Sequence, residues 1–526
     1  MRIRAAGLVV AMVGLVTAIA ALPAVGAGRP SARTTTPRIE SDFNGDGFAD
    51  LAIGIPGATA GSVANSGAVH VLYGSSTGLS STDAQRFTQA DPGVPGDPAG
   101  GAFGTRLATG DFDGDGFADL AVAAPFQPVG GHNGAGTVTV LYGSSIGLST
   151  AGSQLWNGNS AGLPGVAHSN DVLGFALTAS NFGNGAQDDL AIAEPDRDVS
   201  GVNGAGAVLV LYGSASGLRA LHSQVWTESS SGFPGVPTFN DGIGQALASG
   251  NVGRSAQVDL AIGAAFKRHN GHPSAGEVFV LYGGLHGLST TGVQAFTEES
   301  LHVPGGSADN DRFGSAVAIG DFGRGTTGDL AIGVNGRTVN SQFQSGLVRV
   351  LYGTTSGLST TGIQSFSQGD SGTGTTEAGD QFGAVMVAAN FGRGSQDDLA
   401  IGVPAEAVGS ATDAGSVSIV YGSSSGLTFS GAQGFTQPDL NVGVAETGDV
   451  FGAALYASNF GNGPQADLAI GVPDEDIGSV QDAGAADVAF GSGSGVVATN
   501  SEGWSEDNAG AGEAATAGNR FGSAVG

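Results

Sequence analysis

The chain has 526 residues, 95 of them glycine, with 12% charged residues, no cysteine and a formal net charge of −29. The lack of cysteine excludes disulfides, thiolate-held metals and thiol nucleophiles. The negative charge opposes binding to nucleic acid or anionic membrane surfaces. So much glycine argues against a helical bundle, since each glycine in a helix interior costs about 1 kcal/mol relative to alanine.

The N-terminus reads as an export signal. Arg2 and Arg4 precede an apolar stretch from Ala5 to Leu22, and Val25-Gly26-Ala27 has the small residues of a cleavage site. The stretch is near the length of a membrane-spanning helix, which leaves an uncleaved anchor as the alternative. Cleavage after Ala27 makes residues 1–27 a signal peptide and residues 28–39 a short linker. The mature chain is then secreted and not stably inserted in a membrane.

From residue 40 onward one unit recurs seven times. An acidic or amide marker stands at Asp42, Asp111, Asn181, Asn251, Asp321, Asn390 and Asn459, a spacing of 69 or 70 residues. That period exceeds those of common solenoids and holds four strands with two long loops, the content of a propeller blade. The second unit shows the parts. Phe103-Gly104 opens a strand running to Thr109. A turn from Asp111 to Gly116 leads to a strand Leu120 to Ala124, a third strand runs Val138 to Tyr142, and a fourth ends near Trp156. Tyr73, Tyr142, Tyr212, Tyr282, Tyr352 and Tyr421 close the third strand, with Phe490 in the last copy. Their fixed place in the repeat points to packing between blades rather than to a sugar-stacking platform. The expected fold is all-β, a seven-bladed propeller over residues 40–526. The ring closes by pairing of the terminal segments: Phe521 to Gly526 supplies one part of a strand and Glu40-Ser41-Asp42 the other.

Two units carry a dense set of oxygen donors in the turn between the first two strands: Asp42, Asn44, Asp46 and Asp50, and again Asp111, Asp113, Asp115 and Asp119. Oxygens at positions one, three, five and nine of a tight turn suit calcium, a hard cation. Two carboxylates about 4 Å apart repel by roughly 4 kcal/mol at an effective dielectric near 20, so a cation between them is favoured. An EF-hand needs Glu at position twelve, where Ile53 and Val122 stand. In the other five units positions three and five are Gly or Ser, while position nine stays Asp: Asp189, Asp259, Asp329, Asp398 and Asp467. That Asp is expected to accept backbone N–H bonds within the turn. Arg254, Arg324 and Arg393 at position four are expected to pair with the loop Asp in place of calcium, the alternative being an exposed arginine of little consequence.

Phe-Gly, then Asp-x-Asp/Asn-x-Asp-Gly-x-x-Asp, then an apolar strand ending in Gly-x-Pro resembles the FG-GAP repeat of integrin α-subunit propellers. The carriers are Phe103-Gly104, Asp111 to Asp119 and Ala123-Ala124-Pro125, with Asp42 to Asp50 and Gly54-Ile55-Pro56 in the first unit. The resemblance implies a seven-bladed propeller with calcium in these loops, and it adds the backbone carbonyls of Phe48 and Phe117 as ligands.

No catalytic constellation stands out. Gly-x-Ser-x-Gly at 74–78, 143–147 and 422–426 lies between strands, not in the strand–turn–helix setting of a nucleophile elbow. His269 and His272 have no third ligand nearby in sequence. The function expected is a monomeric, calcium-stabilised, non-catalytic binding or adhesion module for an extracellular protein or polysaccharide. A secreted phospholipase- or glycan-acting hydrolase, or a lectin, is the alternative. The partner is expected on the rim opposite the metal loops, across the first five blades, near Phe126, Phe233 and Phe239, because recognition tends to live on variable loops held by a rigid scaffold.

Overall fold

The computed structural model describes residues 40–303 and 305–526, so the signal peptide and linker expected over 1–39 lie outside it. The described residues form seven four-stranded antiparallel sheets. They are the blades of a seven-bladed β-propeller. In blade 2 the strands are Arg106–Gly110, Asp119–Ala124, Thr137–Tyr142 and Ser149–Trp156, counted from the central channel outward. Phe103-Gly104 falls before the inner strand. Phe103 instead bridges to Gly67 of blade 1 and donates its N–H to the Ser66 carbonyl at 2.9 Å, so the Phe-Gly step ties one blade to the one before it.

The second strand of each blade is buried along its whole length and, after the position-nine Asp, mostly apolar, because neighbouring blades cover both of its faces. Each fully buried Leu, Ile or Val there contributes about 1.5–3 kcal/mol. The blades stand so close that a Cβ on Gly54 would lie 2.0 Å from the Gly104 carbonyl of blade 2. Tyrosines closing the third strand link the blades further: the Tyr73 hydroxyl receives the Leu148 N–H at 3.2 Å, and Tyr212, Tyr352 and Tyr421 repeat the contact. The packing role read from their spacing holds.

Blade 1 is completed as the repeat foretells. Ala524–Val525 pairs with Leu51–Ile55, with Val525 opposite Ile53. The Gly526 N–H and carbonyl exchange bonds with Ala52 at 3.0 and 2.8 Å, and Asp50 donates to the Ser41 carbonyl at 2.9 Å along the same edge. The inner strand of this blade is therefore shared between residues 524–526 and the segment around Ser41. Two single-turn helices, Gln368–Ser371 and Gln437–Leu440, depart from the all-strand reading. Their N-terminal Ser367 and Thr436 donate both N–H and hydroxyl to Asp370 and Asp439. Among the described residues no helix is long and apolar enough to cross a membrane.

One position of the third strand faces the loop overhanging from the preceding blade. His70 donates there to the Ala509 carbonyl at 3.0 Å, Thr139 to Pro95 at 3.3 Å, Arg349 pairs with Glu298, and Ser418 meets Thr373 at 2.7 Å. Blade 7 has Asp487, fully buried with no hydrogen bond to either carboxylate oxygen. Burial, with Glu475 nearby, holds its carboxyl well above the usual value of 3.8. A raised folded pKa means that ionisation opposes folding. The penalty is absent below the unfolded pKa and grows as pH rises toward the folded one. Asp487→Asn keeps the shape without the charge. The variant is expected to match the parent at about pH 3.5 and exceed it by about 2 kcal/mol at about pH 8, read by urea unfolding. Equal stability of the two chains at the higher pH would show that the carboxylate is satisfied.

Candidate metal centres and the opposite rim

The turn after the inner strand is built by its own side chains. In blade 1, Asp42 Oδ1 accepts the N–H groups of Gly45 and Asp46 at 2.6 and 3.1 Å, and Oδ2 accepts that of Gly47 at 3.0 Å. Asn44 and Asp46 each receive the N–H two residues on, from Asp46 and Phe48, both at 2.9 Å. Blade 2 repeats this set with Asp111, Asp113 and Asp115. Their carboxylate oxygens lie within 4.8 Å of one another, a spacing at which one cation touches all three. The donor set is all oxygen and anionic, which fits a hard divalent cation.

Asp50 and Asp119, at position nine, are fully buried beneath these loops. Asp50 Oδ2 accepts the Phe43 N–H at 2.7 Å and Oδ1 the Gly74 N–H at 2.9 Å, a residue in the turn between strands three and four. Burial outweighs these two bonds and pushes both carboxyls up to about 8. The same two bonds recur at Asp189, Asp259, Asp329, Asp398 and Asp467. Position nine therefore fastens two turns together in every blade, whether or not the acidic loop is present. The sequence points to the bond within the turn. The second bond, to a residue 24 positions away, has no local pattern to reveal it.

The three arginines at position four do not pair with the loop Asp. Arg254, Arg324 and Arg393 lie over the rings of Tyr282, Tyr352 and Tyr421 at 4.7, 4.0 and 4.7 Å. Arg324 also donates to the Ser425 carbonyl of the next blade at 2.7 Å and to Gly362. A guanidinium over a tyrosine face is held by cation–π attraction and still has N–H groups free for carbonyls, whereas the loop Asp already has two backbone donors. The arginines thus cover the tyrosine of their own blade, Arg324 also reaches the next blade, and none is paired with the loop Asp.

The rim opposite the metal loops carries the long connections. Phe126 and Phe239 are exposed there, at 52% and 73%, while Phe233 is buried against Phe279 with ring centroids 4.9 Å apart. Phe233 belongs to the core between blades 3 and 4. Phe266, which sequence reasoning passed over, is 48% exposed and holds the same repeat position as Phe126, a coincidence that aligned loops would have revealed. Phe239 and Phe266 flank a cavity of about 360 Å³ that also presents Asp196, Asn240, Gln245 and Arg268. On the same rim His269 and His272 lie against Glu299 and Asp309.

Comparison with known proteins agrees with this architecture. Residues 41–72 and 103–141 match the FG-GAP repeat family. Phosphatidylinositol-glycan-specific phospholipase D from Rattus norvegicus is 34% identical over 170 residues, 32% of this chain and 19% of that protein. Integrin alpha-3 from Mus musculus is 35% identical over 139 residues, 26% of this chain and 12% of the integrin. Integrin alpha-PS5 from Drosophila melanogaster is 42% identical over 85 residues, 16% and 8% of the two chains. The match thus spans about a fifth or less of each relative's length. The chain is thus a seven-bladed β-propeller whose first two blades, the ones with acidic turns, match the FG-GAP repeat.

Proposed function

We propose that the chain is a secreted propeller that binds an extracellular protein or surface polysaccharide without chemically altering it, with calcium in the turns of blades 1 and 2. Asp42, Asn44, Asp46 and Asp50 would hold one ion, and Asp111, Asp113, Asp115 and Asp119 the other, with the Phe48 and Phe117 carbonyls completing each set. Bound there, a divalent cation would neutralise the clustered carboxylates and stiffen the turns. Similarity to segments of integrin α-subunits and of a phospholipase D, both in extracellular settings, supports the location.

The observation that carries the reading is the pair of exposed phenylalanines at the 360 Å³ cavity on the variable rim. Aromatic faces beside a few fixed polar groups are what a binding pocket presents. The test is a glycan and extracellular-protein array run beside a hydrolase substrate panel. Phe239→Glu with Phe266→Glu is expected to remove the array signal and leave the melting temperature unchanged. Turnover of any panel substrate by the parent chain would overturn the non-catalytic reading.

A further inference from the structure

The central channel is lined by inner-strand side chains that are small or neutral. At one level these are Ala176, Ala246, Ala316, Val385, Ala454 and Ala524, and in blade 2 the place is taken by Arg106. Three other enclosed cations have carboxylate partners. Lys267 lies 2.8 Å from Glu228, Arg337 2.6 Å from Asp311, and Arg349 2.7 Å from Glu298. Arg106 has none among the described residues. Its Nη1 donates to its neighbour Thr105's carbonyl at 2.8 Å, and its guanidinium stands 5.8 Å from the Phe175 ring centre. The surrounding protein disfavours its charge, yet the side chain stays open to solvent. Of its five N–H donors, the one on Thr105 has a hydrogen-bond partner among the described residues.

That space is shaped. Arg106 borders the channel mouth and also a cavity of about 560 Å³ between blades 7, 1 and 2, where Asn65, Phe126, Asp482, Arg520 and Ser523 line the wall. Arg520 is already engaged, with Nε 2.9 Å from Asp474, which leaves Arg106 as the free cation of the cavity. A planar guanidinium with unused donors matches a carboxylate through two parallel bonds. The half-exposed Phe126 ring offers a flat apolar face, and Asn65, Ser523 and Asp482 offer groups suited to hydroxyls. A carboxylate, a flat apolar face and several hydroxyls together describe a sugar acid. The net charge of −29 repels polyanions, so the ligand carries one carboxylate and not a row of them.

We infer that the Arg106 cavity binds a glycan ending in a single uronic-acid-type sugar, with the guanidinium on its carboxylate and Phe126 against its ring. This rests on the reading of the chain as a binding module and places a second contact apart from the Phe239–Phe266 cavity. The probes are a glucuronyl-terminated trisaccharide, the same trisaccharide with its carboxyl reduced to the alcohol, and a short peptide with a free or amidated C-terminus, each titrated calorimetrically into the full chain. The acid sugar is expected to bind about ten-fold or more tighter than its reduced form, the difference a charge-assisted pair supplies. Arg106→Gln, which keeps a polar side chain of similar length without the charge, is expected to erase that preference with the melting temperature unchanged. Equal binding of both sugars, or an acid preference that persists in Arg106→Gln, overturns the inference. Binding of only the free-carboxyl peptide overturns the sugar assignment. Absence of binding to every probe, with the array signal at Phe239 and Phe266 intact, overturns this site and leaves the binding-module reading standing.

Discussion

Replacing Asp467 with alanine is expected to destabilise the propeller by about 4 kcal/mol, although the residue touches no ligand and lies in a blade without an acidic loop. Its Oδ2 accepts the Phe460 N–H and its Oδ1 the Gly491 N–H, both at 2.9 Å and both buried. Alanine leaves two buried donors without acceptors, and each such loss costs about 1–3 kcal/mol. Asp467→Asn keeps one acceptor and turns an NH₂ against the other donor, so about half the loss is expected. Urea unfolding of the three chains measures both steps. A loss below about 1 kcal/mol for the alanine variant would mean that the turns hold without this fastening.

Calcium removal is the second large effect. Extracellular modules bind calcium with dissociation constants of about 10⁻⁴–10⁻³ M. At ten times that constant one site contributes about 1.4 kcal/mol, so two contribute about 3 kcal/mol. Asp46→Ala with Asp115→Ala is expected to abolish the drop in melting temperature that a chelator causes in the parent chain. An unchanged drop in the double variant would move the metal to other loops. The effect also depends on pH. Without metal, Asp50 and Asp119 hold their protons up to about pH 8. Cation binding must displace those protons, so calcium stabilisation is expected to weaken as pH falls below 8.

The fold was almost wholly legible because it is written seven times. A strand that breeds true at a spacing of 69 or 70 residues needs no tertiary knowledge to be recognised, and the tail after Phe521 stops where the first unit lacks its inner strand. The acidic turns were legible because oxygen donors at alternate positions have few other uses. What stayed hidden lies in single side chains. Phe233 stands before Pro-Gly where Val94, Leu163 and Val303 stand in other blades, and like Val94 it is buried, whereas Phe239, six residues on, meets solvent. The arginines at position four looked like counter-ions because the sequence showed their distance along the chain from Asp, not the tyrosine ring closer in space. Asp487 reads as an ordinary polar residue of a strand until the overhanging loop is seen to offer it no donor.

The shared inner strand of blade 1 also sets an order in time. The strand Leu51–Ile55 is among the first to be made, and its partner Ala524–Val525 is among the last. Until that partner is made the first blade waits with one edge bare, and closing so long a loop is entropically slow. Until then any strand of the right pattern fits, including the same tail from a neighbouring chain. Two chains that trade tails lose no hydrogen bond of the ladder, so crowding during folding favours interlocked pairs over single rings. Dilution, or a helper that shields that edge until residue 526 arrives, decides which of the two forms is harvested.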